Sequence, residues 1–392
     1  MIKWVVTFLL LSANVFAEGD LTFNEWLDAL KKEAGDKNIS EQAIENTLQN
    51  ATFLPRVIEL DRSQPEFVST FFSYIQKRVT RQRVEEGRLM LQKHAKLLDK
   101  IEAKYGVSRN ILVAFWGLET NYGRQKGSTN LASALLTLAY EGRRADFFRQ
   151  QLFNLMTIVD AGHHDAYSMR GSWAGASGHM QFMPSTFLDY SVDEDEDGRN
   201  DIWDNLLDAM ASAANYLSRI GWKQHEPVAI EVSLPQNFEY YQAQLGLRQQ
   251  SKNWAMLGVK QADGTALPEL DNTAIILPQG WQGPAFMVGS NFDVVMKWNR
   301  SVNYALSVSH LADQLGDGKP IIQGWNLDNI AITFIQAWAM QEKLNKLGYD
   351  SGVPDGYPGT KTKAAIRSYQ LKNGLPADGY PSYDLFNRLM KE

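Results

Sequence analysis

The sequence predicts an α+β fold that is predominantly helical, with a small strand-rich insertion and a separate helical unit at the C-terminus. Three observations carry that prediction. Apolar residues recur at three- and four-residue intervals through residues 21–105, 130–161 and 206–220. Between residues 227 and 289 the texture changes to short β-type runs separated by Pro and Gly. A turn-rich link, GDGKPIIQGWNLDN, then leads to a last piece that begins near Ile332.

Taken in order, the first residues, MIKWVVTFLLLSANVFAEGD, have the pattern of a secretory signal. Lys3 gives the positive start, residues 4–11 the apolar centre, and Val15-Phe16-Ala17 a small-residue cleavage site, so residues 1–17 are expected to be removed. The apolar run is short for a membrane span. The sequence has no Cys, so neither disulfides nor lipidation of a Cys after the signal is expected. Export without disulfides points to a soluble protein of the bacterial periplasm without a lipid anchor.

FNEWLDALKKEA and FVSTFFSYIQKRV carry the helical spacing of the first part. VAIEVSLP, NTAIILPQG and PAFMVGS are the expected strands of the insertion, about residues 227–290. Helix-like sequence returns over residues 292–315. The expected division is a main domain over 18–317, a linker over 318–331 and a terminal domain over 332–392. That last piece contains an internal echo. IQAWAMQEKLNKLGYDSGVPDGYPGTKTK is followed by AAIRSYQLKNGLPADGYPSYDLFNRL, and each half has a helical run with a Gln, then a turn, then Asp-Gly.

The chain has 392 residues and a net charge of −6, with no block of Lys or Arg, which argues against a nucleic-acid binder that works by phosphate neutralisation. Eleven Trp, fifteen Tyr and eighteen Phe suit a large core, and leave aromatic surface for stacking on sugar rings.

Three stretches carry chemistry. In AFWGLETNYG, Glu119 lies four residues after Phe115, seven after Leu112 and eight after Ile111, so it shares their apolar face. Burial there and the negative end of the helix dipole, with Gly123 as a left-handed cap, would both favour a protonated carboxylic acid. Such a group serves as a general acid. In WAGASGHMQFMP, small residues allow close backbone approach, and Gln181 and Phe182 offer an amide and an aromatic face that suit a carbohydrate. A tight structural loop would explain the same glycines. In DEDEDGRNDIWD, Asp193, Asp195, Asp197 and Gly198 occupy positions one, three, five and six of an EF-hand-like calcium loop, with the Arg199 carbonyl at seven. The closing ligand is Asp204 or Asp208. The ion's expected role is to staple the loop. His163-His164-Asp165 lacks HExxH spacing and a GxSxG elbow, and is read as structural.

AFWGLETNYG, YEGRR, SWAGASGHMQFMPSTF, the Asp-rich loop with IWD, AANYL and WNRSVNYA occur in one order, and together resemble the membrane-bound lytic transglycosylase B family of peptidoglycan-cleaving enzymes. The C-terminal unit resembles the peptidoglycan-binding module of envelope enzymes. The resemblance implies a lysozyme-like catalytic fold and cleavage of the β-1,4 bond between N-acetylmuramic acid and N-acetylglucosamine. Glu119 would act as acid and then as base, giving a 1,6-anhydro sugar without water as nucleophile. It places Ser172, Gln181, Phe182, Tyr216, Asn299 and Tyr304 on the sugar cleft. Tyr74 and the Arg143-Arg144 pair match more loosely, the arginines facing peptide carboxylates. For calcium the resemblance favours Asp208 over Asp204, and it implies no organic cofactor. Ser177 stands where the family commonly has Met and Trp298 where Tyr is usual; neither is expected to touch the acid. Ordinary glycosidases need two carboxylates. Glu141, the nearest second acid, is expected to pair with Arg143 or Arg144. Peptidoglycan strands are the expected partner, with cell-wall synthesis or division proteins beside them, and a monomer is the expected state. A lysozyme-type hydrolase and a non-catalytic wall binder are the competing readings.

Overall fold

The structure is a computed structural model that describes residues 22–62, 70–323 and 330–392, so the signal sequence and part of the linker lie outside the described residues. Helices dominate, and polar caps start many of them. Thr22 and Glu25 close a reciprocal capping box on Phe23–Asp36, and Ser40, Thr70, Thr80, Ser108 and Asn130 each accept a backbone N–H from the following helix.

At the centre lies the helix Arg109–Thr120, in which every residue from Ile111 to Leu118 is buried. Such a helix has no solvent face along that length, unlike an amphipathic surface helix. Arg81–Lys93, Ala95–Tyr105, Leu206–Arg219 and Val302–Leu315 pack against it. The hairpin of Leu131–Glu141 and Ala145–Asp160 forms a second layer. A two-residue ladder, β1 (Thr129–Asn130) with β2 (Arg170–Gly171), ties the start of that hairpin to the loop that follows it.

The strand-rich insertion holds β3 (Ala229–Ser233), β4 (Lys260–Gln261), β5 (Ala274–Ile276) and β6 (Ala285–Val288), antiparallel in the order β4-β3-β6-β5. Period-two alternation divides its side chains. Val232, Ile275, Ala285 and Met287 form a local core with Phe238, Trp254 and Val259, while Ala229, Ala274, Ile276, Phe286 and Val288 join the main core. β6 is covered on both faces, which is why its sequence reads as an unbroken apolar run.

The C-terminal unit packs Phe334–Lys346, Thr360–Lys372 and Tyr383–Lys391 around Met340, Leu344, Ile366, Tyr369 and Leu389. The sequence echo is a bonding echo. Gln341 donates to Asp355 Oδ1 at 2.8 Å and accepts from the Gly356 amide at 2.8 Å. Gln370 donates to Asp378 Oδ1 at 2.8 Å and accepts from the Gly379 amide at 2.9 Å. Each Asp then accepts from the Tyr two residues on, at 2.9 Å. Asp378 Oδ2 also accepts the Trp281 amide at 2.8 Å, which docks this unit on the strand-rich insertion. Two residues before Trp281, the buried Gln279 accepts the Phe72 amide at 3.1 Å.

Candidate active site

The end of the Arg109–Thr120 helix is fixed by three successive residues with positive φ: Asn121 at 50°, Tyr122 at 60° and Gly123 at 80°. The left-handed cap expected at Gly123 therefore begins at Asn121, whose amide bonds back to Gly117 and Trp116. A Tyr in this conformation is strained, and its surroundings hold it there. The Tyr122 hydroxyl donates to the Arg83 carbonyl at 2.5 Å. Its side chain fills a slot that exists because Gly87 and Gly117 lack Cβ atoms, which would come within 2.4 Å of the hydroxyl and 2.8 Å of the ring.

Glu119 projects from that last turn, half-buried. The Trp298 indole Nε1 donates to its Oε1 at 3.0 Å, and the Tyr304 hydroxyl donates to the same oxygen. Tyr304 is 4% exposed, and burial together with the neighbouring carboxylate pushes its phenol well above the usual tyrosine range. The phenol therefore keeps its proton in the neutral range. Tyr304 thus serves the acid more directly than a sugar-lining position requires. Trp298 corrects the expectation that it would not touch the acid. Its ring lies 4.5 Å from Phe115, 5.2 Å from Tyr216 and 5.5 Å from Phe182. Phe182 and Tyr216 therefore pack on the ring of Trp298, which itself donates to Glu119. Burial raises the Tyr216 phenol as well, and its ring stacks 4.5 Å from Tyr190.

The glycine-rich loop is tied to the same helix. Thr120 Oγ1 donates to the His179 carbonyl at 2.8 Å, and the Trp116 indole donates to His179 Nδ1 at 3.0 Å. Burial holds His179 down at about 4, so the imidazole is neutral and can accept that bond. Sequence reasoning passed over His179; its closeness to Gly123, where a Cβ would lie 2.5 Å from the imidazole, is a tertiary fact. Within the loop, Ser172 Oγ accepts the Ala176 amide at 3.1 Å, and Gln181, at φ 50°, donates to the carbonyls of Lys126 and Gly178 at 3.1 Å. Ser177 is buried and accepts from the Trp203 indole at 3.1 Å, so it supports the loop from behind.

The remaining positions are more dispersed. Asn299 caps the Ser290–Trp298 helix, and its carbonyl accepts the Ser301 amide at 2.7 Å in the corner between Trp298 and Tyr304. Tyr74 lies under the Arg78 guanidinium, 5.4 Å from its ring centre. Arg143 is engaged with Asp61 through Nε and Oδ2 at 3.1 Å, and Arg144 stacks on Phe147 and Phe148 at 5.0 Å. These contacts tie Arg143 to Pro55–Arg62 and Arg144 to Ala145–Asp160. Glu141 pairs with Arg62 at 2.9 Å, which corrects its expected pairing with Arg143 or Arg144.

In the acidic loop, carboxylate oxygens of Asp193, Asp195 and Asp197 lie within 4.8 Å of one another. Gly198 at φ 92° makes the sharp turn, and Arg199 donates its amide to Asp197 Oδ1 at 2.9 Å. Asp208 is fully buried; its two oxygens accept the amides of Glu194 at 2.8 Å and Asp201 at 2.9 Å. Burial, reinforced by the charges of Asp195 and Asp193, pushes its carboxyl up. Asp204 instead faces Lys126 at 3.4 Å. The clustered donors of Asp193, Asp195 and Asp197 are all oxygens and fit a hard divalent ion, while Asp208, whose two oxygens accept backbone amides, lies outside that cluster. Glu194 pins the loop to Lys100 and Lys104 at 3.1 Å and 2.7 Å. His163 accepts the Asn200 amide at 3.1 Å, while His164 packs on Trp203, so the two neighbours brace different parts of this region.

The transglycosylase SLT domain model matches residues 22–313, and the peptidoglycan binding domain model matches residues 339–389. The membrane-bound lytic murein transglycosylase B of Escherichia coli (strain K12) is 29% identical over 300 residues, 72% of this chain and 80% of that protein. SltB3 from Pseudomonas aeruginosa, solved in complex with NAG-anhNAM-pentapeptide, is 40% identical with a TM-score of 0.92, covering 94% of this chain and 99% of that one. Escherichia coli Slt35, solved in complex with calcium, is 28% identical with a TM-score of 0.63, covering 74% of this chain and 92% of that one. These likenesses bear out the predominantly helical, lysozyme-like fold that the motifs imply. With most of its length matched by the catalytic model and its end by the binding module, the chain belongs to the transglycosylase SLT domain family.

Proposed function

We propose that the protein is a lytic transglycosylase that cleaves the β-1,4 bond between N-acetylmuramic acid and N-acetylglucosamine in peptidoglycan, with Glu119 as its one catalytic carboxylate. The observation that carries this reading is the convergence of Trp298 and Tyr304 on a single oxygen of Glu119. With Oε1 held as an acceptor, the acid proton belongs on Oε2. Glu119 gives that proton to the glycosidic oxygen as the bond to muramic C1 breaks, and N-acetylglucosamine leaves as an alcohol. The carboxylate then takes the proton of the muramic 6-hydroxyl while its oxygen bonds to C1. The 1,6-anhydro ring closes and Glu119 is protonated again. Glu141, the nearest second acid in the motifs, is held by Arg62, which fits a route that needs one carboxylate.

Phe182 and Tyr216 supply aromatic surface to the sugars beside Glu119, and Ser172, Gln181 and Asn299 supply polar groups from the adjoining loop and corner. Tyr74 extends the same wall, and Arg143 and Arg144 meet peptide carboxylates farther out. A calcium ion would be held by Asp193, Asp195, Asp197, the Arg199 carbonyl and Asp208, where its charge balances the crowded acids and staples the loop. The main domain, about residues 18–317, acts in the periplasm after removal of residues 1–17, and the unit over 332–392 holds it to the wall. Among the described residues no helix is long and apolar enough to cross a membrane. The test is to digest purified peptidoglycan and weigh the products. Anhydro ends, one water lighter than reducing ends, are expected from the native chain, with turnover reduced about 10³-fold in Glu119→Gln. Reducing ends would show a hydrolase, and no release a binder.

A further inference from the structure

We propose that Trp298 is a positioning residue for the proton of Glu119: its indole N–H reserves Oε1 as an acceptor, so that the proton that moves is always carried on Oε2. The inference rests on the reading of Glu119 as the acid. It grows from a difference between the two donors. A phenol can donate or accept, so Tyr304 alone would tolerate a Glu119 proton on either oxygen. An indole only donates. A proton on Oε1 would take one of the two lone-pair sites that Trp298 and Tyr304 already occupy, whereas an unprotonated Oε1 keeps both bonds in both protonation states.

The fold fixes that N–H in space. Trp298 is the last residue of Ser290–Trp298, and its ring is wedged among Phe115, Tyr216 and Phe182 at 4.5–5.5 Å. The chain turns at Asn299 and Ser301, where Ser301 Oγ caps the next helix by accepting the Tyr304 amide at 3.2 Å. Both donors thus belong to one corner, and the corner aims both at one oxygen.

Among the described residues, the titratable or charged groups that meet the Glu119–Trp298–Tyr304 corner include the phenols of Tyr304 and Tyr216, the Arg78 guanidinium and Tyr74 beside Tyr304, and His179 against Thr120. Tyr304 and Tyr216 are raised by burial, so the alkaline limb of activity reports the loss of the Glu119 proton. The Trp298 bond persists to the carboxylate and strengthens there, so it lowers the cost of giving the proton up. Without it Glu119 keeps its proton to higher pH, and the limb moves up.

The experiment is a pH profile of product release from purified peptidoglycan for the native chain, Trp298→Phe, Trp298→Tyr, and a variant with the benzothienyl analogue of Trp at 298. That analogue keeps the ring volume and lacks the N–H, so it serves where Trp298→Phe disturbs folding. For Trp298→Phe and the analogue the expected result is a kcat about tenfold lower, a KM within about twofold, and an alkaline limb displaced upward by roughly one pH unit. Trp298→Tyr restores a donor and is expected to bring the limb back toward its native position. An unmoved limb in the analogue, with a loss only in KM or none at all, overturns the proposal and leaves Trp298 as a wall of the cleft. Full activity in Glu119→Gln would instead sink the reading of the acid itself, whatever the limb does.

Discussion

At the end of the Arg109–Thr120 helix one carboxylate is half-buried among aromatic rings, with two donors on one oxygen. In the loop before the Leu206–Arg219 helix, three carboxylates crowd within 4.8 Å, two of them exposed. The same functional group is put to different ends by its neighbours. Directional donors around an acid let a proton move while the group stays still, which is what a residue that must be acid and then base would require. Crowding of like charges does the opposite: it leaves charge that a divalent cation relieves, and the group's value lies in holding a loop in place. Tyr105, Lys100 and Lys104 on the Ala95–Tyr105 helix anchor the acidic loop through Glu194, next to the element that packs on the catalytic helix.

The comparison breaks most visibly at Glu119. Glu119→Asp keeps the charge but withdraws it by one methylene from Trp298 and Tyr304. Turnover should fall by about 10²- to 10³-fold with little change in melting temperature, as measured by release of soluble fragments. Near-native turnover would mean that the donors do not set the geometry. Tyr304→Phe removes one of the two donors, and a tenfold to hundredfold loss in kcat is expected, about the worth of one bond to a charged group.

The acidic loop should answer to a different readout. Calcium at a hundredfold excess over its Kd should stabilise the fold by about 2.7 kcal/mol, seen as a melting temperature a few degrees higher than in chelator. Asp195→Asn should abolish that response and leave Glu119 chemistry intact at low temperature. A melting temperature indifferent to calcium would count against the loop as a metal site.

The smallest effect concerns acid stability. His179 is neutral when folded, with its value held down at about 4 from the ordinary 6.5, so the unfolded chain binds more protons between those values. Its contribution is present above pH 6.5 and is lost as pH falls toward 4, because protonation breaks the bond from Trp116. His310 is lowered to about 4 in the same way by burial. Differential scanning calorimetry of His179→Gln should show a shallower fall in melting temperature over that window, the remaining slope belonging to the other groups that burial shifts, among them His310, His163 and Asp313. An unchanged slope would remove His179 from the account.

Much of this was legible in the sequence, for local reasons. Glu119 stood out because its spacing from Phe115 and Leu112 put a carboxylate among buried residues, and both are indeed fully buried. Asp193, Asp195 and Asp197 alternate, and alternation in a Gly-containing turn gathers side chains on one side. The strand-rich insertion declared itself by Pro and Gly between apolar runs, and the terminal echo by its two Asp-Gly turns. What stayed hidden depends on distance along the chain. Nothing near Trp298 indicates that its N–H meets an acid 179 residues away. The slot for Tyr122 needs two glycines, Gly87 and Gly117, on different helices. The partners of Glu141 and Arg143 lie in Pro55–Arg62, far from the motif that contains them. Periodicity gives the face of an element; only the tertiary fold gives what that face meets.

The central claim is that one carboxylate suffices because the sugar supplies its own nucleophile. Digesting purified peptidoglycan in water enriched in oxygen-18, and weighing the released fragments, tests it most directly. The account predicts 1,6-anhydromuramic ends with no heavy oxygen incorporated. Reducing ends that carry one heavy oxygen each would contradict it, since a water, and a base to activate it, would then have to replace the muramic 6-hydroxyl beside Glu119.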